Sequence, residues 1–326
     1  MKILHTKLSD ASLEQIKDVL LSGDIGFGAN VTLFESQFQV FSQARHNVAT
    51  NSASAAAFMI FSYLKETYGI CDVYTPSLTF TSPTWAAKHF GHNIIFVDVN
   101  DELLFDIEDY KEKRKLRPNT KAVLMPVLYG GVSTVPGFGA IKDDEIVVVD
   151  AAHCPTPTIE SDFTFFSFHP VKPICSPDGG IIATDIDAAA QYFRAYRNFG
   201  RLNTLNSYDI VQQGFKFYMN NLSASIALES MKDYKNNVET RRGVYDYIKT
   251  KFKGRFLEHD TNSSYYFATL ITEEAASISH EYNLVKHYPL LHKTKYYNNK
   301  NSLANTERLH PKIVNLPLYD QDIYNS

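Results

Sequence analysis

The 326-residue sequence is poor in cysteine, with Cys71, Cys154 and Cys175 as its complete set. No two of them are close enough to form a CxxC pair, the spacing from which redox and zinc motifs are built. An odd and sparse set fits a reducing cytosol better than a disulfide framework. The sequence therefore predicts a cytoplasmic protein whose fold does not depend on disulfides.

The sequence also lacks an excess of one charge and any long apolar run. Its net charge is -4 and its pI is near 6.3, which gives no reason to expect a nucleic-acid partner. The nearest approach to a basic run, residues 111–115, is interrupted by Glu112 and is typical of a solvated helix face. Neither a signal peptide nor a stretch able to span a bilayer is recognisable. We expect no membrane partner.

Short apolar segments alternate with helical patterns along the first two thirds of the chain. Strands are predicted at residues 47–51, 72–75, 93–97, 122–125, 145–149, 162–168 and 181–184, and helices at residues 9–22, 31–41, 52–64 and 85–90. Strands of four or five apolar residues separated by helices indicate an α/β sheet that is buried on both faces.

The pattern changes after about residue 221. One long helical segment, residues 222–252, leads into a tail rich in Tyr, Asn, His and Lys. The length of the chain is sufficient for two domains. We place the boundary near Ser230, so that residues 1–230 form a large cofactor-binding domain and residues 231–326 a small C-terminal one.

Two neighbouring segments carry an acid and a lysine suited to one kind of chemistry. Asp150 ends an apolar strand, and Lys172 closely follows the next strand, so both side chains should face the crevice where α/β sheets place ligands. An acid and a lysine in one crevice suit pyridoxal 5′-phosphate (PLP). The acid pairs with the pyridine nitrogen, and the lysine holds the cofactor as a Schiff base and moves protons. A buried structural lysine is the simpler alternative, but unpaired buried lysines are uncommon.

Two further features fit the same cofactor. The hydroxyl-rich segment that begins at Ser52 opens a helix, and a helix N-terminus with hydroxyl groups binds phosphate. Phe80 follows a strand and could cover a flat ring. Rival patterns are weaker: residues 26–31 lack the third glycine of a dinucleotide fingerprint. His287 and His292 have no acidic or cysteine partner at ligand spacing, so no metal site is predicted and a surface or substrate-pocket role is expected for both.

These segments resemble, in order along nearly the whole chain, the DegT/DnrJ/EryC1/StrS family of sugar aminotransferases. The most specific segment is Phe166-Ser-Phe-His-Pro-Val-Lys172. The others are residues 22–35, 51–56, 76–80, 96–99, 126–130, 150–153, 197–200, 287–289 and 316–318. The resemblance implies the type I PLP-dependent transferase fold, in which helices sandwich a mixed, mostly parallel sheet and a small α+β domain follows.

The resemblance also implies roles for single residues. Lys172 would be the Schiff-base lysine and Asp150 the partner of the pyridine nitrogen, while His153 would bond the phenolic oxygen of the ring. The remaining cofactor contacts would be Ala151 under the ring, Phe80 over it, Ser54 and the backbone of Ala53 on the phosphate with Ser167, and Lys216 on the phosphate of a neighbouring subunit. That last contact implies a homodimer.

The implied activity is transfer of an amino group from an amino acid, with glutamate expected, to a keto sugar attached to a nucleotide. Three alternatives stay open: a sugar dehydratase, a non-catalytic protein of the same fold, and an aminotransferase for a non-sugar ketone. Dehydratases of this family carry His in place of the lysine, so Lys172 argues against the first. Relative to the family, Ala53 replaces the usual glycine and the small domain is shortened. The shortened domain keeps the non-catalytic alternative open, and these departures concern the substrate more than the cofactor, so a non-sugar ketone stays open too.

We predict that Lys172→Ala abolishes turnover, because the lysine is both the attachment point and the proton carrier. Asp150→Asn should lower turnover by several orders of magnitude, because the neutral amide no longer keeps the pyridine nitrogen protonated. Steady-state rates of the purified variants test both expectations. Full activity of the Lys172→Ala protein would refute the assignment.

Overall fold

The computed structural model describes residues 10–141, 144–204, 207–284, 288–298 and 301–324, and a seven-stranded sheet forms its centre. The strands are β1 (His46–Thr50), β2 (Asp72–Pro76), β3 (Asn93–Val97), β4 (Ala122–Leu124), β5 (Ile146–Asp150), β6 (Phe163–Ser167) and β7 (Gly180–Thr184). Their order is β1-β7-β6-β5-β4-β2-β3, and β7 is antiparallel to both of its neighbours while the other pairs are parallel. The predicted mixed, mostly parallel sheet is confirmed.

Seven helices accompany this sheet: α1 (Asp10–Ser22), α2 (Ala29–Ser42), α3 (Ala53–Tyr68), α4 (Ser82–His89), α5 (Ile107–Lys115), α6 (Asp187–Tyr196) and α7 (Asn221–Lys232). Residues of α2, α5 and α7 pack against one face and residues of α3, α4 and α6 against the other. Because both faces are covered, the strands read as nearly continuous apolar runs.

A second, smaller unit follows. It contains α8 (Tyr234–Lys251), α9 (Ala275–Glu281) and α10 (Ala304–Leu309) with an antiparallel sheet of β10 (Arg255–Phe256), β11 (Ala268–Ile271) and β12 (Ile313–Leu316). Its own apolar core includes Val244, Ile248, Leu270 and Leu316. A hairpin of β8 (Arg201–Thr204) and β9 (Ser207–Ile210) precedes α7. Short 3₁₀ turns cover residues 129–131, 138–140, 291–293, 310–312 and 321–324. No described helix is long and apolar enough to cross a membrane.

The long helix expected over residues 222–252 is two helices, and Asp233 separates them. Helix α7 buries Ala224 and Ala227 in the core under the large sheet, whereas α8 buries Val244 and Ile248 in the small core. The two apolar faces therefore serve different cores, which a single straight helix would not do. The boundary between residues 230 and 231 stays a prediction.

One edge of the sheet collects most of the chemically interesting segments. The parallel strands β2, β4, β5 and β6 end there, and β1 runs in the same direction because β7 is antiparallel to both β1 and β6. The antiparallel β7 begins at the same edge. This arrangement brings the segments that follow β1, β2, β5 and β6 together, at the edge where α/β sheets place their ligands.

A buried ion pair between Glu35 and Arg197 fixes the end of β1. One carboxylate oxygen of Glu35 accepts hydrogen bonds from the Arg197 guanidinium and from the Ala49 N–H, the latter at 2.8 Å. The same Arg197 nitrogen donates to the Ala49 carbonyl at 2.6 Å, and the Phe27 ring lies 5.0 Å from the guanidinium. The pair thereby joins α2, β1 and the end of α6 beside the segment that leads into α3.

Replacing Arg197 with Met should destabilise the fold by about 3–5 kcal/mol, because it leaves the Glu35 carboxylate buried without its cation. Urea unfolding monitored by circular dichroism measures this loss. As a control, Lys17→Met removes an exposed pair with Glu14 and should change stability by less than about 0.5 kcal/mol. Adding Glu35→Gln to Arg197→Met should recover part of the loss. If Arg197→Met behaves like the control, the pair has no structural role.

Candidate active site

A cavity of about 570 Å³ opens at the edge of the sheet where β5 and β6 end. Residues from both parts of the chain line it. They include Ser52, Ala53, Ser54, Phe80, Ser82, Asp150, Ala152, His153, Ser167, His169, Lys172, Tyr266 and Tyr288. Of the nine cofactor residues predicted from the sequence, seven lie on this wall: Ala53, Ser54, Phe80, Asp150, His153, Ser167 and Lys172.

Asp150 supplies the acid of the cavity. It is the last residue of β5 and is 5% exposed, and one of its oxygens accepts the Ala152 N–H at 3.0 Å. Burial raises the pKa of the Asp150 carboxyl to about 6, although the Ala152 hydrogen bond and the charge of Lys172 pull in the opposite direction. A carboxyl in this condition is well suited to receive a buried cation, whose charge would restore the ionised form.

Lys172 supplies the amine. It follows β6 in a tight turn, with its N–H donating to the His169 carbonyl at 2.8 Å. Its ammonium nitrogen lies 3.2 Å from the Tyr266 hydroxyl and 4.5 Å from the centre of the Tyr266 ring. Burial lowers the pKa of the adjacent His169, and the charge of Lys172 lowers it further, which favours the neutral imidazole there.

His153 stands on the same wall and is 5% exposed. Its Nε2 lies 2.9 Å from the Tyr288 hydroxyl, and its ring stacks on that of Tyr266 with 4.1 Å between the centroids. Phe80 lies at the open side and is 55% exposed, with its ring edge-on to Tyr288 at 6.1 Å. The exposed Phe80 face is therefore accessible to a flat ligand.

The N-terminus of α3 supplies an anion-binding surface. The Ser52 side chain caps the helix by accepting the Ala55 N–H at 3.1 Å, and the Ser54 hydroxyl lies 2.9 Å from that of Ser82. Gly180 begins β7 so close to this turn that a Cβ there would lie 2.5 Å from the Ser52 carbonyl carbon. A glycine is therefore required for the strand to support the helix end, which offers N–H groups and a positive dipole end.

These groups fit PLP. The cavity contains a buried carboxyl for the pyridine nitrogen, an amine for the aldehyde and a hydroxyl-rich helix N-terminus for the phosphate. The capped turn of residues 52–55 tolerates Ala53 where glycine is usual, because Ala53 is already the first residue of the helix.

Two of the nine predicted residues, Ala151 and Lys216, lie outside the wall of this chain's cavity, and their predicted cofactor contacts stay predictions. Ala151 does not line the cavity: its N–H donates to the Phe165 carbonyl, and its side chain is buried in the core beside Phe166. Ala152 lines the cavity instead, in the turn after β5 where its N–H donates to the Asp150 carboxylate. Lys216 does not line the cavity of its own chain, and its ammonium lies 5.7 Å from the ring centre of Tyr218.

Two tyrosines of the site were missed by the sequence analysis. Tyr266 lies just before β11, and Tyr288 lies in a connection between α9 and α10, both far along the chain from Lys172. Tyr288 belongs to the segment 287–289 that carries part of the family resemblance, which was the available signal. His287 of that segment lies outside the described residues. Tyr266 had no motif to mark it.

The expected surface or substrate-pocket role of His292 is wrong, because the structure buries this residue away from the cavity. It is 1% exposed, and its ring nitrogens lie 2.5 Å from the Ser77 hydroxyl and 3.2 Å from the Glu307 carboxylate. This buried arrangement ties the segment after β2 to the C-terminal part and is structural. In the described part of the chain, no three His, Cys, Asp or Glu residues form a group that could hold a metal ion.

Comparison with protein-family models gives one match of nearly full length. The model described as the DegT/DnrJ/EryC1/StrS aminotransferase family matches residues 6–322. Among curated proteins, the spore coat polysaccharide biosynthesis protein SpsC of Bacillus subtilis is 26% identical over an alignment that covers 94% of this chain and 89% of SpsC. A UDP-4-amino-4,6-dideoxy-N-acetyl-beta-L-altrosamine transaminase of Campylobacter jejuni is 24% identical, covering 90% of this chain and 76% of that protein.

Solved structures show the same fold. PseC of Helicobacter pylori, an aminotransferase involved in the biosynthesis of pseudoaminic acid, superposes with a TM-score of 0.89 at 19% identity and covers 99% of this chain and 96% of that one. Spr1654 of Streptococcus pneumoniae in its PLP form, titled a putative sugar aminotransferase, gives a TM-score of 0.86 at 22% identity and covers 100% of this chain and 96% of that one. The expected type I PLP-dependent transferase fold is confirmed.

The raised pKa of Asp150 predicts a pH-dependent effect of Asp150→Asn on the cofactor-free protein. Because the folded pKa lies above the unfolded one, the stability from this carboxyl is fully present below about pH 4 and is lost as the pH rises through about 6. The asparagine variant keeps a neutral group throughout. Its stability relative to wild type should therefore increase by about 2 kcal/mol between about pH 4.5 and about pH 8.

Urea unfolding at the two pH values measures this difference. Glu14→Gln on the exposed side of α1 is the control, and its effect should stay within about 0.5 kcal/mol at both. If the relative stability of Asp150→Asn does not change with pH, the Asp150 carboxyl has no raised pKa in the folded chain.

Proposed function

This chain belongs to the DegT/DnrJ/EryC1/StrS aminotransferase family, and we propose that it transfers the amino group of an amino acid, glutamate in our expectation, to a nucleotide-linked keto sugar. PLP is the cofactor of this family, and the related Spr1654 is known in both its PLP and its PMP (pyridoxamine phosphate) form. The observation that carries the proposal is the meeting of Asp150 and Lys172 in one cavity with an anion-binding helix end.

Each residue of the cavity then has a task. PLP, when bound, supplies an electron sink that stabilises negative charge on the carbon next to the amino group. Asp150, once ionised, would hold the pyridine nitrogen in its protonated state, and Lys172 would anchor the cofactor and move the proton in both half-reactions. Ser54, Ser167 and the N–H groups of α3 would bind the phosphate.

The keto-sugar substrate is supported by the names of the relatives. The Campylobacter protein is a transaminase of a UDP-linked amino sugar, and PseC acts in pseudoaminic acid biosynthesis. An aminotransferase for a non-sugar ketone would need the same cofactor groups, so the cavity does not distinguish it. A non-catalytic protein would have no need of a lysine and a buried acid in one cavity, and Lys172 also argues against a dehydratase.

We extend the proposal to a homodimer. The segment from Phe199 to Lys216, which includes the hairpin, exposes several large apolar side chains. Phe199 is 40%, Ile210 62%, Val211 47% and Phe215 41% exposed. Exposed large apolar side chains grouped along one segment are a feature that interaction surfaces share. The segment is fixed to the start of α3, because Asn51 Nδ2 donates to the Lys216 carbonyl at 3.3 Å. A second copy placed here would bring Lys216 towards the phosphate end of its partner's cavity.

The absorption spectrum of the protein with added PLP, before and after glutamate, tests the proposal. We expect a visible band from PLP bound to Lys172, and its conversion by glutamate to the ultraviolet band of PMP. Lys172→Ala is the matched variant and should show neither the lysine-bound band nor catalytic turnover. Incubating the PMP form with UDP-linked keto sugars should then restore the first band.

Each outcome has a separate meaning. A band that forms but ignores glutamate would contradict the donor while leaving the cofactor in place. No band with excess PLP would contradict the proposed function. Restoration of the band by a simple ketone but by no nucleotide sugar would favour the non-sugar alternative.

A further inference from the structure

We propose that Tyr266 positions the Lys172 amine whenever that amine is not bonded to the cofactor; this inference rests on the proposed function. Tyr266 lies about ninety residues from Lys172 in sequence and comes from the smaller unit of the chain. Its hydroxyl lies 3.2 Å from the Lys172 nitrogen, and its ring centre lies 4.5 Å from the same atom. The tyrosine therefore contacts the reacting amine through both its oxygen and its ring.

The backbone of Tyr266 is hydrogen-bonded to the turn that follows β4 of the large sheet. Its N–H donates to the Gly130 carbonyl at 3.1 Å, and the Ser264 N–H donates to the Gly131 carbonyl at 2.9 Å. Gly131 has φ +95°, and a Cβ there would lie 2.3 Å from the Ser264 hydroxyl and 2.9 Å from the Tyr266 nitrogen. The turn after β4 is thus shaped to receive this segment.

Side chains hold the same segment from the cavity side. The Ser264 hydroxyl donates to the His153 carbonyl at 2.5 Å, and the His153 ring stacks on Tyr266. The Tyr266 ring cannot rotate freely between His153 and Lys172, so its hydroxyl is held at one place. The charged and titratable groups that line the described cavity with Lys172 are Asp150, His153, His169, Asp178, Tyr266 and Tyr288. Arg241 on α8 interacts electrostatically with Tyr266.

A fixed hydroxyl is useful because a lysine side chain has four rotatable bonds and loses its anchor in each half-reaction. The amine must then lie where it can take a proton from one atom and return it to another. The Tyr266 oxygen accepts a hydrogen bond from the ammonium, and its O–H can donate to the neutral amine. Both protonation states of Lys172 therefore have the same partner in the same position. This partner reduces the number of rotamers that the free side chain samples before it reaches a reactive geometry.

The test compares Tyr266→Phe with Tyr265→Phe, which removes one hydroxyl from the adjacent residue. Tyr265 is the control because its ring stacks on His259 within the smaller unit, at 4.4 Å between centroids. The first readout needs neither cofactor nor substrate. In the full-length chain before PLP is added, Lys172 is labelled with acetic anhydride at fixed pH, and mass spectrometry follows the labelled peptide.

We expect Tyr266→Phe to label about fivefold faster than wild type, because the amine loses a partner that occupies it in both protonation states. Tyr265→Phe should label at the wild-type rate. Equal rates for Tyr266→Phe and wild type would overturn the proposal. Since PLP takes no part, this result is independent of whether the proposed function is right.

The second readout uses the PLP-loaded enzyme. Tyr266→Phe should lower kcat by about tenfold and change KM for the amino donor by less than about twofold, because the donor site stays intact while the proton carrier is misplaced. A mainly structural role would lower the thermal midpoint and raise KM together, and that outcome would also overturn the proposal. If no variant and not even wild type binds PLP, the proposed function fails while the labelling result stands.

Discussion

The burial of the Asp150 carboxyl at the end of β5 is the interaction on which the site depends. A carboxyl in this position is costly when ionised and alone, as its raised pKa shows. The fold retains it at the one edge of the sheet where a lysine, a helix N-terminus and an aromatic cover also meet. The ionised form of Asp150 is unfavourable without a cation beside it and favourable next to a protonated pyridine ring. Binding of the cofactor would therefore stabilise both the ionised carboxylate and the fold.

Much of this could be predicted from the sequence, because the informative signals were local. Strands such as residues 145–149 are apolar on both faces and short, which is the pattern of a covered parallel sheet. Asp150 and Lys172 each follow such a strand, and strand direction alone brings their ends to one edge. The helix N-terminus at Ser52 was recognisable because hydroxyl residues open an alanine-rich segment.

The features that the sequence did not reveal depend on contacts between distant segments or on the local path of the backbone. Ala152 lines the cavity and Ala151 does not, and which of two adjacent alanines does so depends on the path of the turn after β5. Tyr266 reaches Lys172 only because the turn at Gly130 and Gly131 receives its segment, and no local pattern reveals that pairing. The break at Asp233 reflects a change of core, since α7 packs into the core of the large sheet and α8 into the core of the smaller unit.

The position of β1 has a consequence for how the chain is made. It is an edge strand of the seven, and its partner is β7, which pairs His46 with Thr184. On the ribosome, β1 is synthesised well over a hundred residues before that partner. Helix α1 packs against α7, which is synthesised later still. The N-terminal helices and strand must therefore remain unpaired during much of synthesis, when an exposed strand edge is open to wrong partners. Chaperones that bind nascent chains would be expected to act on this first segment.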